Sequence, residues 1–241
     1  METLAFFHVF KNGGTTLVDR YKHNSGFVYQ RIPHNVVINY QQPGHTVIPV
    51  DDFDFNTAKI LFGHGVNFQT QIENVTYATC LRDPIERIIS AYNYFKLETK
   101  NIWKRTSTID FATWFRNKSV MSPTPTYWQY QHFSQNINLM TDYGRQEDLL
   151  LSHDLYSQAI ENISKFQHVL FLDDNYIDNF DKIASKFDCY PDTSVVHQHR
   201  TAIDLNHYTC YNDLDPESKQ LLHDFVSLDM QFYNHCKEKF K

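Results

Sequence analysis

Three short stretches of this chain carry residue types suited to anion chemistry. The first is Lys11-Asn12-Gly13-Gly14-Thr15-Thr16, which follows an apolar run and precedes apolar residues at helical spacing. The first amides of a helix lack intrahelical partners and point outward, and the helix dipole adds positive potential there. Gly13 and Gly14 let the backbone take positive φ and approach a ligand closely. Thr15 and Thr16 offer hydroxyls and helix caps, and Lys11 adds a full charge. The order is not that of a Walker A loop, in which lysine follows the second glycine and a Ser or Thr then holds magnesium. This loop is therefore expected to hold an anion with no obvious metal partner.

The second stretch is Arg82-Asp83-Pro84, continued by Glu86, Arg87, Ser90 and Tyr92. Asp83, with Glu86 three residues on and Pro84 at the first helical position, spells a capping box. Arg82 then stands at the end of a strand, where ligands gather in open α/β sheets. The guanidinium fork of Arg82 and the hydroxyl of Ser90 suit a single phosphate. Arg87 reads as a surface partner of Asp83 or Glu86. The third stretch places His64 between Gly63 and Gly65, just after the apolar run Lys59–Phe62. A neutral imidazole exposed at a strand end suits a general base. His8, inside an apolar run, reads as a satisfied buried histidine.

The elements that must position these groups follow from periodicity. Leu4–Phe10, Lys59–Gly63, Tyr77–Leu81 and His168–Leu172 read as short buried strands. Thr15–Lys22, Ile85–Phe95, Leu155–Lys165, Ile177–Phe187 and Pro216–Lys239 read as helices. Residues 24–57 carry Pro33, Pro43, Gly44 and Pro49 as breakers and read as short strands and loops. Residues 98–150 are irregular and partly helical, with an aromatic and polar run at Tyr127–His132 that suits either a sugar or the core. Residues 188–212 form a polar loop. Strands alternating with helices predict an α/β, three-layer, P-loop-like fold with a central, mainly parallel sheet, in one domain spanning 1–241.

Composition narrows the partners. Of 241 residues, 41% are hydrophobic and 21% charged, with a formal net charge of −6. Broad capture of nucleic acid or of an anionic membrane is therefore not expected, and an anionic ligand needs a local cluster. No HExxH or CxxC spacing occurs among the 13 histidines and 4 cysteines, so no metal site is expected. Scattered cysteines fit a reducing compartment, with Cys189–Cys210 the pair to form in an oxidising one. No apolar run approaches the roughly 20 residues that span a bilayer. A cytoplasmic location is expected, or the Golgi lumen if the chain is a trimmed catalytic domain. Oligomeric state is left open.

Together these stretches resemble the sulfotransferases that use 3′-phosphoadenosine 5′-phosphosulfate (PAPS), and within them the carbohydrate branch that includes heparan and uronyl 2-O-sulfotransferases. His8-Val9-Phe10-Lys11-Asn12-Gly13-Gly14-Thr15-Thr16 resembles the family's phosphosulfate loop, with Phe10 and Asn12 where Pro and Thr are usual. Arg82–Tyr92 resembles its 3′-phosphate segment at every specified position. Leu61–Phe68 is similar to the Gly-His segment whose histidine is the base in 2-O enzymes. The tail from His197 resembles the late cofactor-covering loop and closing helix. The resemblance implies that Lys11, Asn12, Gly13, Gly14, Thr15 and Thr16 hold the phosphosulfate, Arg82 and Ser90 the 3′-phosphate, and that Arg200 and Thr201 close over the nucleotide. It implies Lys11 and His64 as catalytic residues, an acceptor hydroxyl on a small molecule or glycan, and the bisphosphate PAP as product. Two other readings stay open from the residues alone: a P-loop-type kinase or nucleotide hydrolase, and a non-catalytic nucleotide-binding module.

Overall fold

The structure is a computed structural model and describes residues 2–9, 11–31, 36–39, 46–66, 68, 72–97, 110–116, 129–134, 153–172, 175–195 and 208–241. Seven strands form one sheet: β1 (Thr3–Phe7), β2 (Phe27–Arg31), β3 (Val36–Asn39), β4 (Thr46–Pro49), β5 (Ile60–Gly63), β6 (Val75–Leu81) and β7 (His168–Phe171), in the order β4-β3-β2-β5-β1-β6-β7. The five from β2 to β7 in that order run parallel, and β3 and β4 add an antiparallel edge. Among the described residues the helices are α1 (Gly14–Tyr21), α2 (Pro84–Leu97), α3 (Phe111–Arg116), α4 (Gln129–Phe133), α5 (His153–Ile163), α6 (Tyr176–Ser185) and α7 (Pro216–Phe240).

β1 is buried along its whole length because it has helices on both faces. Leu4 and Phe6 join Leu17 and Tyr21 of α1 and Phe180 and Ile183 of α6 on one side. Ala5 and Phe7 join Phe133 of α4, Ala159 and Ile163 of α5 and Phe232 of α7 on the other. A third cluster packs Ile88, Ile89 and Tyr92 of α2 against Trp114 and Phe115 of α3 and Leu222 and Val226 of α7. This is the expected α/β architecture: a mostly parallel sheet between helical layers. Asp181 locks α1 to α6 by accepting from Tyr21 at 2.7 Å and from Arg20 at 2.6 Å.

Several expectations need correction in detail. The first strand stops at Phe7, because the chain turns at Lys11 (φ 66°) and the backbone N–H of Asn12 reaches back to the Val9 carbonyl. α1 begins at Gly14, one residue early, so Thr15 and Thr16 lie inside its first turn instead of capping it. Arg87 is not a surface group: it is fully buried, with Nη2 3.8 Å from the carboxylate of Asp229 on α7. Cys189 and Cys210, a candidate pair only for an oxidising compartment, form no disulfide.

Candidate active site

The three chemical stretches meet because their strands are neighbours. β5, β1 and β6 lie side by side, with Phe7 in register with Gly63 on one side and Thr79 on the other. Adjacent parallel strands are about 4.8 Å apart, so their C-terminal ends deliver His64, the Lys11–Thr16 loop and Arg82 to one edge of the sheet. The chain leaves β1 through α1 toward β2, while β6 lies on the opposite flank. Such a reversal opens a crevice at the carboxyl ends of the strands.

Within the loop, Gly13 is the N-cap of α1 with φ 78°, and among the described residues no side chain caps the helix. The outward-facing amides of the first turn thus keep their pull on an anion. Gly13 has a positive φ that glycine accepts without cost, and a Cβ there would stand 2.7 Å from Leu172. Gly14 is required by packing: a Cβ would fall 2.0 Å from Nε2 of His8. Gly14→Ala is therefore expected to push the His8 ring aside at a cost of about 1–3 kcal/mol. Urea unfolding should show this loss, and His8→Ala in the same chain should restore part of it. Thr16 is buried and Thr15 exposed. Tyr176 of α6 braces the turn by donating to the Gly13 carbonyl at 3.3 Å and by bonding Thr16, and burial pushes its phenol up to about 12. Lys11 lays its ammonium over the ring of Tyr94 on α2, 4.2 Å from the centroid.

Asn12 departs from the other loop members. Its side chain is fully buried, and Nδ2 donates to the Cys80 carbonyl at 2.8 Å and to Oε1 of Gln129 at 2.7 Å. The side chain of residue 12 therefore anchors the loop from beneath, which leaves only its backbone for an anion.

Arg82 turns back over the loop. Its Nη1 donates to the Lys11 carbonyl at 3.4 Å, and Nη2 lies 3.7 Å from Glu86. Both the ion pair and the approach to the loop are present at once. Asp83 caps α2, accepting from the amides of Ile85 and Glu86 at 3.0 and 3.1 Å. The carboxylate of Glu86 faces Arg82, so the capping box is formed from the Asp83 side. Ser90 is partly buried on α2, one turn beyond Glu86. Asn93, buried on the same helix, clasps Thr209 by both backbone groups at 2.8 Å. That clasp fixes the return of the late loop beside Arg82. Arg200 and Thr201 lie outside the described residues.

His64 donates from Nδ1 to the His8 carbonyl at 2.7 Å, since a carbonyl can only accept. Nε2 is then the basic nitrogen. Burial pushes the imidazole down to about 4, against a smaller opposing effect of the His8 bond. Its ring stacks on that of His8, 4.2 Å between centroids. His8 is not a satisfied buried histidine: among the described residues neither ring nitrogen has a hydrogen-bond partner. Burial and then the nearby His64 hold it neutral. His132 of α4 is likewise buried and pushed down to about 3 by burial, with His64 adding to it. Within the aromatic and polar run, Gln129 and His132 are buried and Gln131 is half-buried. Among the described residues no group of three His, Cys, Asp or Glu is arranged to hold a metal ion, and no helix is long and apolar enough to cross a membrane.

The sequence reading missed Tyr94, Tyr176, Asn93 and Gln129. Asn93 leaves one trace, a polar residue one turn after Ile89 on a buried helical stripe. The others meet the loop or Arg82 across long separations that no local spacing reveals.

No curated protein matches the chain. A family model described as "Sulfotransferase family" matches residues 2–235. Both the glycine loop and the Asp83-capped helix after Arg82 fall inside that span, and sulfuryl transfer, generally from PAPS, is the chemistry of that group. By this match over nearly all its length, the chain belongs to the sulfotransferase family.

Proposed function

We propose that the chain moves the sulfuryl group of PAPS to an acceptor hydroxyl, on a carbohydrate as in the 2-O-sulfotransferases it resembles, with His64 as the base. One observation carries the reading: the Arg82 guanidinium reaches the carbonyl of Lys11 across neighbouring strand ends. This juxtaposes a fork of donors with an uncapped helix N-terminus, the chemistry that two separate phosphates on one nucleotide require.

In this reading Lys11 and the amides of Gly13–Thr16 hold the phosphosulfate, and Arg82 with Ser90 holds the 3′-phosphate. Arg200 and Thr201 cover the nucleotide. PAPS supplies an activated sulfuryl group, whose bond to the 5′-phosphate breaks as the bond to the acceptor oxygen forms, in line. Nε2 of His64 takes the hydroxyl proton. Lys11 leaves the Tyr94 ring to neutralise charge growing on the departing phosphate. PAP leaves with both its phosphates.

The test is a thermal-shift screen with PAP, ATP and NAD, because a ligand that binds only the folded state raises its apparent stability. PAP is expected to give the largest shift. Arg82→Ala is expected to weaken PAP about 10- to 100-fold, the loss of charge-assisted hydrogen bonds. Equal shifts with ATP, or none with PAP, would remove the reading.

A further inference from the structure

Gln129, the first residue of α4, is fully buried, yet its polar bonds go chiefly to the two candidate phosphate segments. Its Oε1 accepts from the backbone N–H of Arg82 at 3.0 Å, and its Nε2 donates to the Arg82 carbonyl at 2.7 Å. Satisfying both backbone groups of one residue is what an adjacent strand does. β6 ends at Leu81, and the last backbone bond from the β7 side goes to the Leu81 carbonyl. At Arg82 the amide of Gln129 stands in for the missing strand. The same Oε1 accepts from Nδ2 of Asn12 at 2.7 Å. On its far side Nε2 lies 3.5 Å from Asp229.

One amide therefore fixes the Arg82 backbone and the floor of the glycine loop at once. A buried amide has no water to fall back on, so these bonds hold their geometry firmly. We propose that Gln129 is a positioning residue for the sulfate donor: it sets the spacing between Arg82 and the Lys11–Thr16 loop, and with it the fit to a nucleotide carrying phosphates at both ends. This rests on the donor reading above. It also accounts for the inward turn of Asn12, whose side chain would otherwise be a plain loop donor. The guanidinium of Arg82 can reach the Lys11 carbonyl only while its own backbone and that loop keep this separation.

The test uses the full chain and PAP as probe. Gln129→Met keeps most of the volume and removes every hydrogen bond. It is expected to raise the PAP Kd and the donor KM about 10- to 100-fold, as for one or two lost buried bonds, with the acceptor KM unchanged. In an Arg82→Ala background the same substitution should add little further loss, because the group it positions is gone. A folded Gln129→Met protein with wild-type PAP affinity, or losses that simply add in the double variant, would overturn the assignment. If Gln129→Met does not fold, Asn12→Ala removes the loop's bond to this amide together with its bond to the Cys80 carbonyl. It should raise the PAP Kd about tenfold, again non-additively with Arg82→Ala, and an unmoved Kd overturns the proposal. Wild-type protein that fails to bind PAP would instead sink the donor reading, and this assignment with it.

Discussion

His64→Ala is expected to lower kcat by about 10²- to 10⁴-fold, the usual contribution of a general base, while PAP affinity stays close to wild type. The expectation rests on the ring's placement. Nδ1 is committed to the His8 carbonyl, so the tautomer that makes Nε2 basic is fixed before substrate arrives. Burial holds the imidazole down to about 4, so it is neutral throughout the physiological range. The pH profile of kcat/KM should accordingly lack the acid limb near 6.5 that an exposed histidine would give. The same burial has a cost in acid. His64, His8 and His132 are all held below their ordinary value when folded. The unfolded chain then binds more protons than the folded one as the pH falls below about 6.5, and stability declines through that window. The profile should be recorded with the folded fraction followed alongside. Near-wild-type turnover by correctly folded His64→Ala protein would exclude His64 as the base.

Asp229→Ala is expected to destabilise the fold by about 3–5 kcal/mol, the usual loss when one member of a buried ion pair is removed. Arg87 and Asp229 are both fully buried and 3.8 Å apart, joining α2 to α7. Removing the carboxylate leaves a guanidinium in the interior with its counter-charge gone. The double replacement Arg87→Met/Asp229→Met should be more stable than Asp229→Ala, because no buried charge is stranded. Urea unfolding of the variants measures both effects. A loss below about 1 kcal/mol for Asp229→Ala, the level of an exposed pair, would mean that water reaches this pair.

Much of the site was legible because it is local. The Gly-Gly-Thr-Thr turn and the Asp83-Pro84 helix start each report a strand-to-helix junction within a few residues. The alternation of strands and helices then places such junctions at one edge of a parallel sheet. Strand and helix ends were off by one to three residues, as at Thr15, where a glycine N-cap in the left-handed region replaced a threonine cap. Arg87 was misjudged for a different reason. Its carboxylate partner is 142 positions away (229 − 87), whereas Asp83 and Glu86 are near in sequence and drew the pairing. Likewise, nothing around Asn12 shows that its amide faces Cys80 and Gln129, since helix α4 enters the fold 117 residues later.

The interior chain of polar contacts running from Asn12 through Gln129 to Asp229 and Arg87 has a consequence for the order of assembly. Synthesis proceeds from the amino end, so the nascent polypeptide exposes both motif segments long before residues 129 and 229 exist. A fragment stopping ahead of α7 would retain the glycine loop and the Arg82–Tyr92 segment, yet lack the far end of the brace beneath them. On the proposed reading, competence to capture nucleotide should thus arise only when the closing helix docks, a late and cooperative event.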